Sequence, residues 1–306
     1  MKSLTLIKTC TLIFLIAGLS SCAPKEEQRN LPKHVILIGF DGWSAYAMNN
    51  GARMPTVRRL MNEGAYTLQN RSVLPSSSAC NWASMFSGAS PELHGYTTWG
   101  STVPDLLPRV LDEHDRFPDI FSLLRKTRPE AEIGYIYEWG GIKYVTDSLA
   151  MSFSQQVPMN AENPDGCTPV AVKYIKEKKP DFLAVIYDQP DGTGHKSGWE
   201  SQEYLDKLDH LDSCLAQIIQ AVEDAGMMDE TVLVIVSDHG GIGNNHGGKT
   251  MNEMQTPLTF YGKGIKKGHQ ITESTMIYDI AGTLATLLNV EQPQAWIARP
   301  IETIFE

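Results

Sequence analysis

Thr231-Val232-Leu233-Val234-Ile235-Val236-Ser237-Asp238-His239-Gly240-Gly241 decides the fold. Its first six residues are β-branched or leucine, and an acid, an imidazole and two glycines follow. A strand with one wet face alternates polar and apolar residues. An unbroken apolar run instead suits a strand covered on both faces, as inside a parallel sheet. Two other runs share the pattern: Val35-Ile36-Leu37-Ile38-Gly39-Phe40 enters Asp41-Gly42, and Asp181-Phe182-Leu183-Ala184-Val185-Ile186-Tyr187 enters Asp188. Between the Asp181 and Thr231 runs, Leu205, Leu208, Leu211, Leu215, Ile218, Ile219 and Val222 recur at helical spacing from Tyr204 to Ala225, with Gly226 as the stop. Strands alternating with helices predict an α/β fold, a doubly wound, mostly parallel sheet flanked by helices. Ligands of such sheets bind beyond the carboxyl ends of the strands. Asp41, Asp191 and Asp238 are therefore expected to converge there, although far apart in the chain.

The first residues read differently. Lys2 and Lys8 flank a short positive region, Leu12 to Leu19 is apolar, and Ser20-Ser21-Cys22 follows. A basic start, a short apolar run and small residues before a cut describe a secretory signal. With Cys22 next, residues 1–21 resemble a bacterial lipoprotein signal, in which that cysteine is lipidated. The expected organisation is a signal over 1–21, a polar lipid-anchored tether over 22–33, and one catalytic domain over 34–306. Export to the periplasm or cell surface follows, with attachment to a membrane through Cys22. No later stretch approaches the ~18 consecutive apolar residues of a membrane helix.

The 306-residue chain carries a formal net charge of −10, more negative by the charges of Lys2 and Lys8 once the signal is gone. Such a field disfavours nucleic-acid binding, and no obligate protein partner is evident. Cys80, Cys167 and Cys214 remain after Cys10 and Cys22 are set aside. Three thiols make no disulfide framework, and they read as small buried apolar residues.

The chemistry-bearing residues follow the strands. Asp41 closes one run, Asp191-Gly192-Thr193-Gly194-His195 follows another, and Asp238-His239 caps the third, with His246 in Asn245-His246-Gly247-Gly248. Three aspartates and three histidines at strand ends make a mixed oxygen and nitrogen donor set that suits Zn²⁺. Singly, each is as readily a turn or helix cap; the combination is what points to metal.

Gly39-Phe40-Asp41-Gly42, Pro190-Asp191-Gly192-Thr193-Gly194-His195, Ser237-Asp238-His239-Gly240-Gly241 and His246-Gly247-Gly248 resemble, in order, the metal motifs of the nucleotide pyrophosphatase/phosphodiesterases of the alkaline phosphatase superfamily. Tyr261 to Gly268 and Tyr278 to Thr283 resemble that family's closing segments, so the likeness runs from about Val35 to Pro300. It implies an alkaline-phosphatase-like, near-minimal core and two zinc ions. One zinc would be held by Asp41, Ser78, Asp238 and His239, and the other by Asp191, His195 and His246. It also implies a serine nucleophile within Pro75-Ser76-Ser77-Ser78-Ala79-Cys80-Asn81-Trp82. Counting Asn three residues and Gly ten residues past the nucleophile selects Ser78, with Asn81 and Gly88 in register; Cys80 is the rival thiol, two positions off. The implied reaction is hydrolysis of a phosphodiester, or a nucleotide pyrophosphate, through a phospho-serine. Asn81 and a backbone N–H near Ala79 would donate to phosphate oxygens.

Some features depart from the family. Ala79 stands where many members carry an aromatic residue for stacking a base, and Trp82 reads as core. His239 and His246 are only seven residues apart, without the insertion of nucleotide-cleaving members. Tyr96 to Asn163 holds Trp99, Tyr135, Tyr137, Trp139 and Tyr144, readable as a substrate cap or as ordinary core. A sulfatase signature, Pro two and Arg four residues after the nucleophile, is missing: Cys80 and Trp82 stand there. Phosphomonoesterase and phosphoethanolamine or phospholipid-headgroup hydrolase or transferase readings use the same residues, so the substrate is a small-molecule or lipid-headgroup phosphoester. A surface binding lipoprotein on a hydrolase scaffold is the non-enzymatic alternative, and it would be expected to have lost ligands. His94 reads as structural; His34, His114, His210 and His269 lie outside any motif. Glu253 is either a support for His246 or a surface glutamate.

Overall fold

The computed structural model describes residues 29–158 and 166–306. The signal segment and Cys22 lie outside the described residues. The strands are β1 (His34–Asp41), β2 (Ala65–Arg71), β3 (Ile133–Tyr137), β4 (Phe153–Gln156), β5 (Phe182–Pro190), β6 (Thr231–Val236), β7 (Gln255–Gly262) and β8 (His269–Gln270). They form one sheet in the order β4-β3-β5-β1-β6-β7-β2-β8. The left side through β6 is parallel, whereas β7 runs antiparallel to both β6 and β2. The three apolar runs are thus the three central strands, and every residue of β6 is buried.

Alternation along β1 assigns its side chains to two cores. Val35 and Leu37 pack with the helices Ser78–Ser87, Ile120–Thr127 and Asp279–Leu287. Ile36 and Ile38 pack on the other face with Pro55–Glu63, Thr168–Lys178 and Gln202–Asp224. Side chains two apart on a strand share a face, so a strand apolar at every position cements both layers. The long helix buries Leu208, Leu211, Leu215, Ile218, Ile219 and Val222, as its spacing predicts. Ser201 starts it by accepting from the Tyr204 N–H at 3.2 Å, and Gly226 follows its end with φ +67°. At about 25 cal/mol per Å² of apolar surface, each such leucine or isoleucine contributes roughly 1.5–3 kcal/mol.

The tail of the expected tether, Arg29 to Lys33, is bonded to the body. Arg29 pairs with Glu302 at 2.5 Å, and the Lys33 N–H donates to the Glu230 carbonyl at 2.9 Å. Cys80, Cys167 and Cys214 are all buried. Among the described residues no helix is long and apolar enough to cross a membrane.

Candidate metal centre

Because β1, β5 and β6 are parallel neighbours, their carboxyl ends share one edge, and the acids that follow them meet above it. Asp41 is the last residue of β1. Asp191 opens the helix Asp191–Ser197 directly after β5, so His195 one turn later lies on the same helix face. Asp238 and His239 leave β6, and a glycine-rich loop returns His246. Gly42 at the turn after β1 has φ +71°, and a Cβ there would come within 2.8 Å of the Asp191 Cβ. Only glycine lets these two strand ends approach so closely.

Two carboxylate and imidazole groups result: Asp41, Asp238 and His239, and Asp191, His239 and His246. His239 belongs to both. His239 Nε2 lies 3.4 Å from Asp41 Oδ1 and 3.4 Å from Asp238 Oδ2. His246 Nε2 lies 3.5 Å from Asp191 Oδ1, and His195 Nε2 lies 3.4 Å from Asp191 Oδ2. The rings of His239 and His246 stack with centroids 3.9 Å apart. Five of the six residues expected from the sequence fall within these two groups, and His195 stands at their edge, touching Asp191 from a partly exposed position.

The backbone sets the tautomers. Nδ1 of His195 donates to the Asn244 carbonyl at 3.0 Å, that of His239 to Gly240 at 2.8 Å, and that of His246 to Ser76 at 3.0 Å. A carbonyl only accepts, so Nδ1 carries the hydrogen and Nε2 of the neutral ring holds a lone pair. Burial, then the neighbouring His246, pushes His239 well below the ordinary histidine pKa, and burial likewise lowers His246. These lone pairs face carboxylate oxygens. Asp191 Oδ1 and Asp238 Oδ2 are buried with no hydrogen-bond donor among the described residues. Burial raises Asp41 and Asp238 well above the usual carboxylate range, helped by the charges of Asp191 on Asp41 and of Asp41 on Asp238. Burial and the charge of Asp188 raise Asp191 to about 7. Oxygen and nitrogen lone pairs aimed at one another from 3.4 to 3.5 Å make a donor set that fits divalent cations.

Ser78 sits against this set. Its Oγ lies 3.3 Å from Asp41 Oδ1 and 3.2 Å from His239 Nε2. It is the first residue of a ten-residue helix, with Ser77 extended before it. The first N–H groups of a helix have no partner within the helix, so those beginning at Ser78 are available to an anion. Cys80 is fully buried, and burial pushes its thiol up to about 11, which leaves it a poor nucleophile.

Asn81 requires a correction. Its amide does not face the centre as a phosphate donor. The side chain is fully buried, its Oδ1 accepts from the Val73 N–H at 2.7 Å, and its Nδ2 donates to the carbonyls of Pro75 and Ser77 at 3.1 and 3.0 Å. With both hydrogens committed to the turn before Ser78, Asn81 fixes that turn. Glu253 likewise does not touch His246; it accepts from the Gly248 and Thr250 N–H groups and fixes the loop after it. His94 is structural, bonded to Ser84 Oγ at 3.0 Å and to the Tyr96 N–H at 3.1 Å.

Two tryptophans have contacts at the centre that the sequence did not suggest, Trp82 having read only as core. Trp82 Nε1 donates to Asp41 Oδ2 at 3.0 Å, so a core residue orients a candidate ligand. Trp199 packs edge-on against His195 and His246 and donates to the Gly42 carbonyl at 2.8 Å. Helical spacing from Ser78 is the one signal that foreshadowed the first; nothing local announced the second.

The type I phosphodiesterase / nucleotide pyrophosphatase family profile matches residues 35–260. The bis(5'-adenosyl)-triphosphatase ENPP4 of Pongo abelii is 22% identical over 239 residues, covering 74% of this chain and 52% of that protein. Venom phosphodiesterase 2 of Crotalus adamanteus is 24% identical over 251 residues, covering 73% and 28%. The chain thus spans about half, or less, of the length of these curated relatives. Among solved structures, murine ENPP5 in an inactive form with AMP superposes with a TM-score of 0.73 at 14% identity, over 90% of this chain and 100% of that one. A 2-O GAG sulfatase superposes at 0.70 with 13% identity, covering 89% and 73%, a likeness of fold alone. With the family profile matched across β1 to β7, the chain belongs to the type I phosphodiesterase / nucleotide pyrophosphatase family of the alkaline phosphatase superfamily.

Proposed function

We propose that this protein is a zinc-dependent phosphodiesterase that acts through a phospho-serine at Ser78. The observation that carries the proposal is the Ser78 hydroxyl, held 3.3 Å from Asp41 Oδ1 and 3.2 Å from His239 Nε2 beside two unpartnered carboxylate oxygens. Asp41, Asp238, His239 and Ser78 would hold one zinc, and Asp191, His195 and His246 the other. When bound, two such cations stabilise the attacking and leaving oxygens of an in-line displacement and favour the serine alkoxide.

The protein's own contribution is placement. Asn81 and the turn from Val73 to Ser77 fix the start of the helix, so Ser78 Oγ stands ready without reorganisation. Its hydrogen is held between Asp41 Oδ1 and His239 Nε2. In the first step a bond forms between Oγ and phosphorus while the bond to the leaving alcohol breaks. In the second, water attacks the same phosphorus, the Oγ–P bond breaks, and Ser78 is restored with release of a monoester. The first helix N–H groups, at Ala79 and Cys80, would donate to the non-bridging oxygens, which need charge stabilisation more than covalent help. Nucleotide and dinucleotide esters are the substrate class suggested by the relatives. Export as a lipoprotein through Cys22 belongs to the same reading, because Ser20-Ser21-Cys22 has the required order.

The test uses the protein from residue 23 onward, equilibrated with zinc. Bis-p-nitrophenyl phosphate, p-nitrophenyl phosphate, p-nitrophenyl phosphorylcholine and p-nitrophenyl sulfate are compared side by side. Zinc-dependent release from the diester, abolished by a chelator and by Ser78→Ala, is expected. Two equivalents of bound zinc with no release from any ester would turn the reading toward transfer or binding, and absence of zinc binding would sink it.

A further inference from the structure

The first described residues are fastened to one edge of the sheet. Arg29 pairs with Glu302, and its guanidinium lies 4.8 Å from the centre of the Phe305 ring. The Asn30 carbonyl presses on Gly264, where a Cβ would come within 2.6 Å of its oxygen. The Lys33 N–H donates to the Glu230 carbonyl. The segment 302–306 closes the same corner, the Glu306 N–H donating to the Gly264 carbonyl at 3.1 Å and Phe305 bridging to Ile265.

That corner is the amino edge of the parallel strands. His34 opens β1 opposite Thr231, the first residue of β6, and Gly262 ends β7 opposite Val232. The turn from Lys263 to Gly268 therefore lies at the foot of the sheet, and the metal centre stands at its head, beyond Asp41. Seven steps along the eight residues of β1 put roughly 23 Å between the two edges, before the loops bearing His195 and His246 are added.

Covalent geometry limits the reach of the chain that leads to Arg29. The seven steps from Cys22 span at most about 25 Å. To turn the metal centre toward a membrane holding Cys22, Arg29 would have to stand off by the depth of the sheet and of the loops beyond it. That takes the whole reach, and fixing every residue fully extended costs conformational entropy. With the amino edge down, no extension is needed. Lys33, Lys266 and Lys267 are exposed on that edge together with Asp229 and Glu306. Glu230 and Glu302 are paired with Lys263 and Arg29, so anionic headgroups do not repel this face.

We propose that the edge formed by Lys33 and the turn from Lys263 to Gly268 faces the lipid surface that holds Cys22, with the metal centre opening away from it. The inference rests on the proposed lipidation of Cys22 and on the hydrolase reading of the centre. It selects among substrates: esters in solution reach the centre, and headgroups of the anchoring bilayer do not. The rival lipid-facing stretch runs from Trp99 to Leu111, with Leu107 86% exposed. Trp99 stacks on Trp139 and lines one cavity with His195 and His246, so seating that stretch in lipid would bring the centre to the bilayer.

The lipidated full chain is inserted into vesicles of phosphatidylethanolamine and phosphatidylglycerol that contain an acceptor-labelled lipid. A donor dye is placed singly through Lys267→Cys, Lys196→Cys or Leu107→Cys, the thiols of Cys80, Cys167 and Cys214 being buried. Lys196 is exposed on the helix that follows β5 at the metal-centre edge. A separation of about 23 Å predicts at least about twofold stronger energy transfer from residue 267 than from residue 196, with residue 107 below 267. Equal transfer from 267 and 196, stronger transfer from 196, or the strongest transfer from 107 would each overturn the orientation. So would a full chain that does not bind vesicles, or a form from residue 23 onward that binds them equally. Headgroup release from the anchoring vesicles at the rate seen on bis-p-nitrophenyl phosphate would overturn it as well. The expected transfer pattern in a protein that hydrolyses no ester would uphold the orientation while the hydrolase reading failed. Diester hydrolysis with the inverted pattern would leave that reading standing and remove the orientation.

Discussion

The two ligand groups expected from the sequence are built from the same residue types and live in opposite surroundings. In the inner group the side chains of Asp41, Asp238 and His239 are 3%, 0% and 0% exposed; in the outer group those of Asp191, His195 and His246 are 14%, 42% and 8% exposed. The inner residues end two central strands and are walled by Trp82. The outer ones ride on a short helix and a glycine-rich loop, with the side of Trp199 for backing. Charge and dipole interactions strengthen in a dry setting and weaken in a wet one. The inner group is therefore suited to activating the proposed nucleophile, Ser78, and the outer group to exchanging proposed ligands with solvent.

The strongest challenge to that contrast lies in the inner group. Ser78→Ala, or Asp238→Asn, is expected to lower kcat/KM on bis-p-nitrophenyl phosphate by at least about a thousandfold, as loss of a nucleophile or its activator does. Added zinc should recover neither. An Ser78→Ala protein with wild-type rates would end the covalent mechanism.

His195→Ala tests the outer group. Roughly a hundredfold loss is expected at limiting zinc, at the upper end for weakened metal support, with recovery as zinc is raised. The rate is followed across a zinc titration. A loss that no zinc concentration repairs would erase the distinction between the groups.

Trp82→Phe removes the N–H that reaches Asp41 Oδ2 and keeps most of the buried ring. A drop of about tenfold in kcat with little change in KM is expected from a residue that orients a ligand. A thermal melt within a few degrees of the wild type would show that the fold persists. An unchanged kcat would mean that β1 alone orients Asp41.

The smallest effect concerns a buried histidine with no metal motif. Burial lowers His94 to about 3 from an ordinary 6.5, so the fold holds it neutral. Below pH 6.5 the unfolded chain takes up a proton that the fold refuses, and stability falls with pH down to about 3. Between pH 7.5 and 5 this amounts to about 2 kcal/mol. Urea midpoints of wild type and His94→Gln at both pH values should show the variant losing less stability on acidification. Equal losses would assign the acid sensitivity to the metal-centre residues instead.

Much of the centre was legible in the sequence because each ligand is tied to a pattern. Asp41, Asp191 and Asp238 follow runs that are apolar at every position, and only buried parallel strands satisfy such runs. His195 stands one helical turn from Asp191, and His239 follows Asp238 directly. Asn81 was legible as a position and not as an orientation. An amide has two hydrogens and two oxygen lone pairs, and the turn upstream took both kinds, the carbonyls of Pro75 and Ser77 the hydrogens and the Val73 N–H a lone pair. The sharing of His239 between both groups was equally hidden, since it depends on where the loop bearing His246 returns.

By itself the sequence determined the α/β class, the central strands, the long helix and the six candidate ligand positions, because periodicity and residue chemistry are local properties. Tertiary structure alone decided which nitrogen of each histidine faces the metal centre, that Trp82 donates to Asp41, and that Trp99 braces on Trp139 beside the site. Apart from the His239 contact with its neighbour Gly240, those facts turn on distances of a few ångströms between residues 40 to 170 positions apart. Only packing of the two layers against the sheet sets such distances.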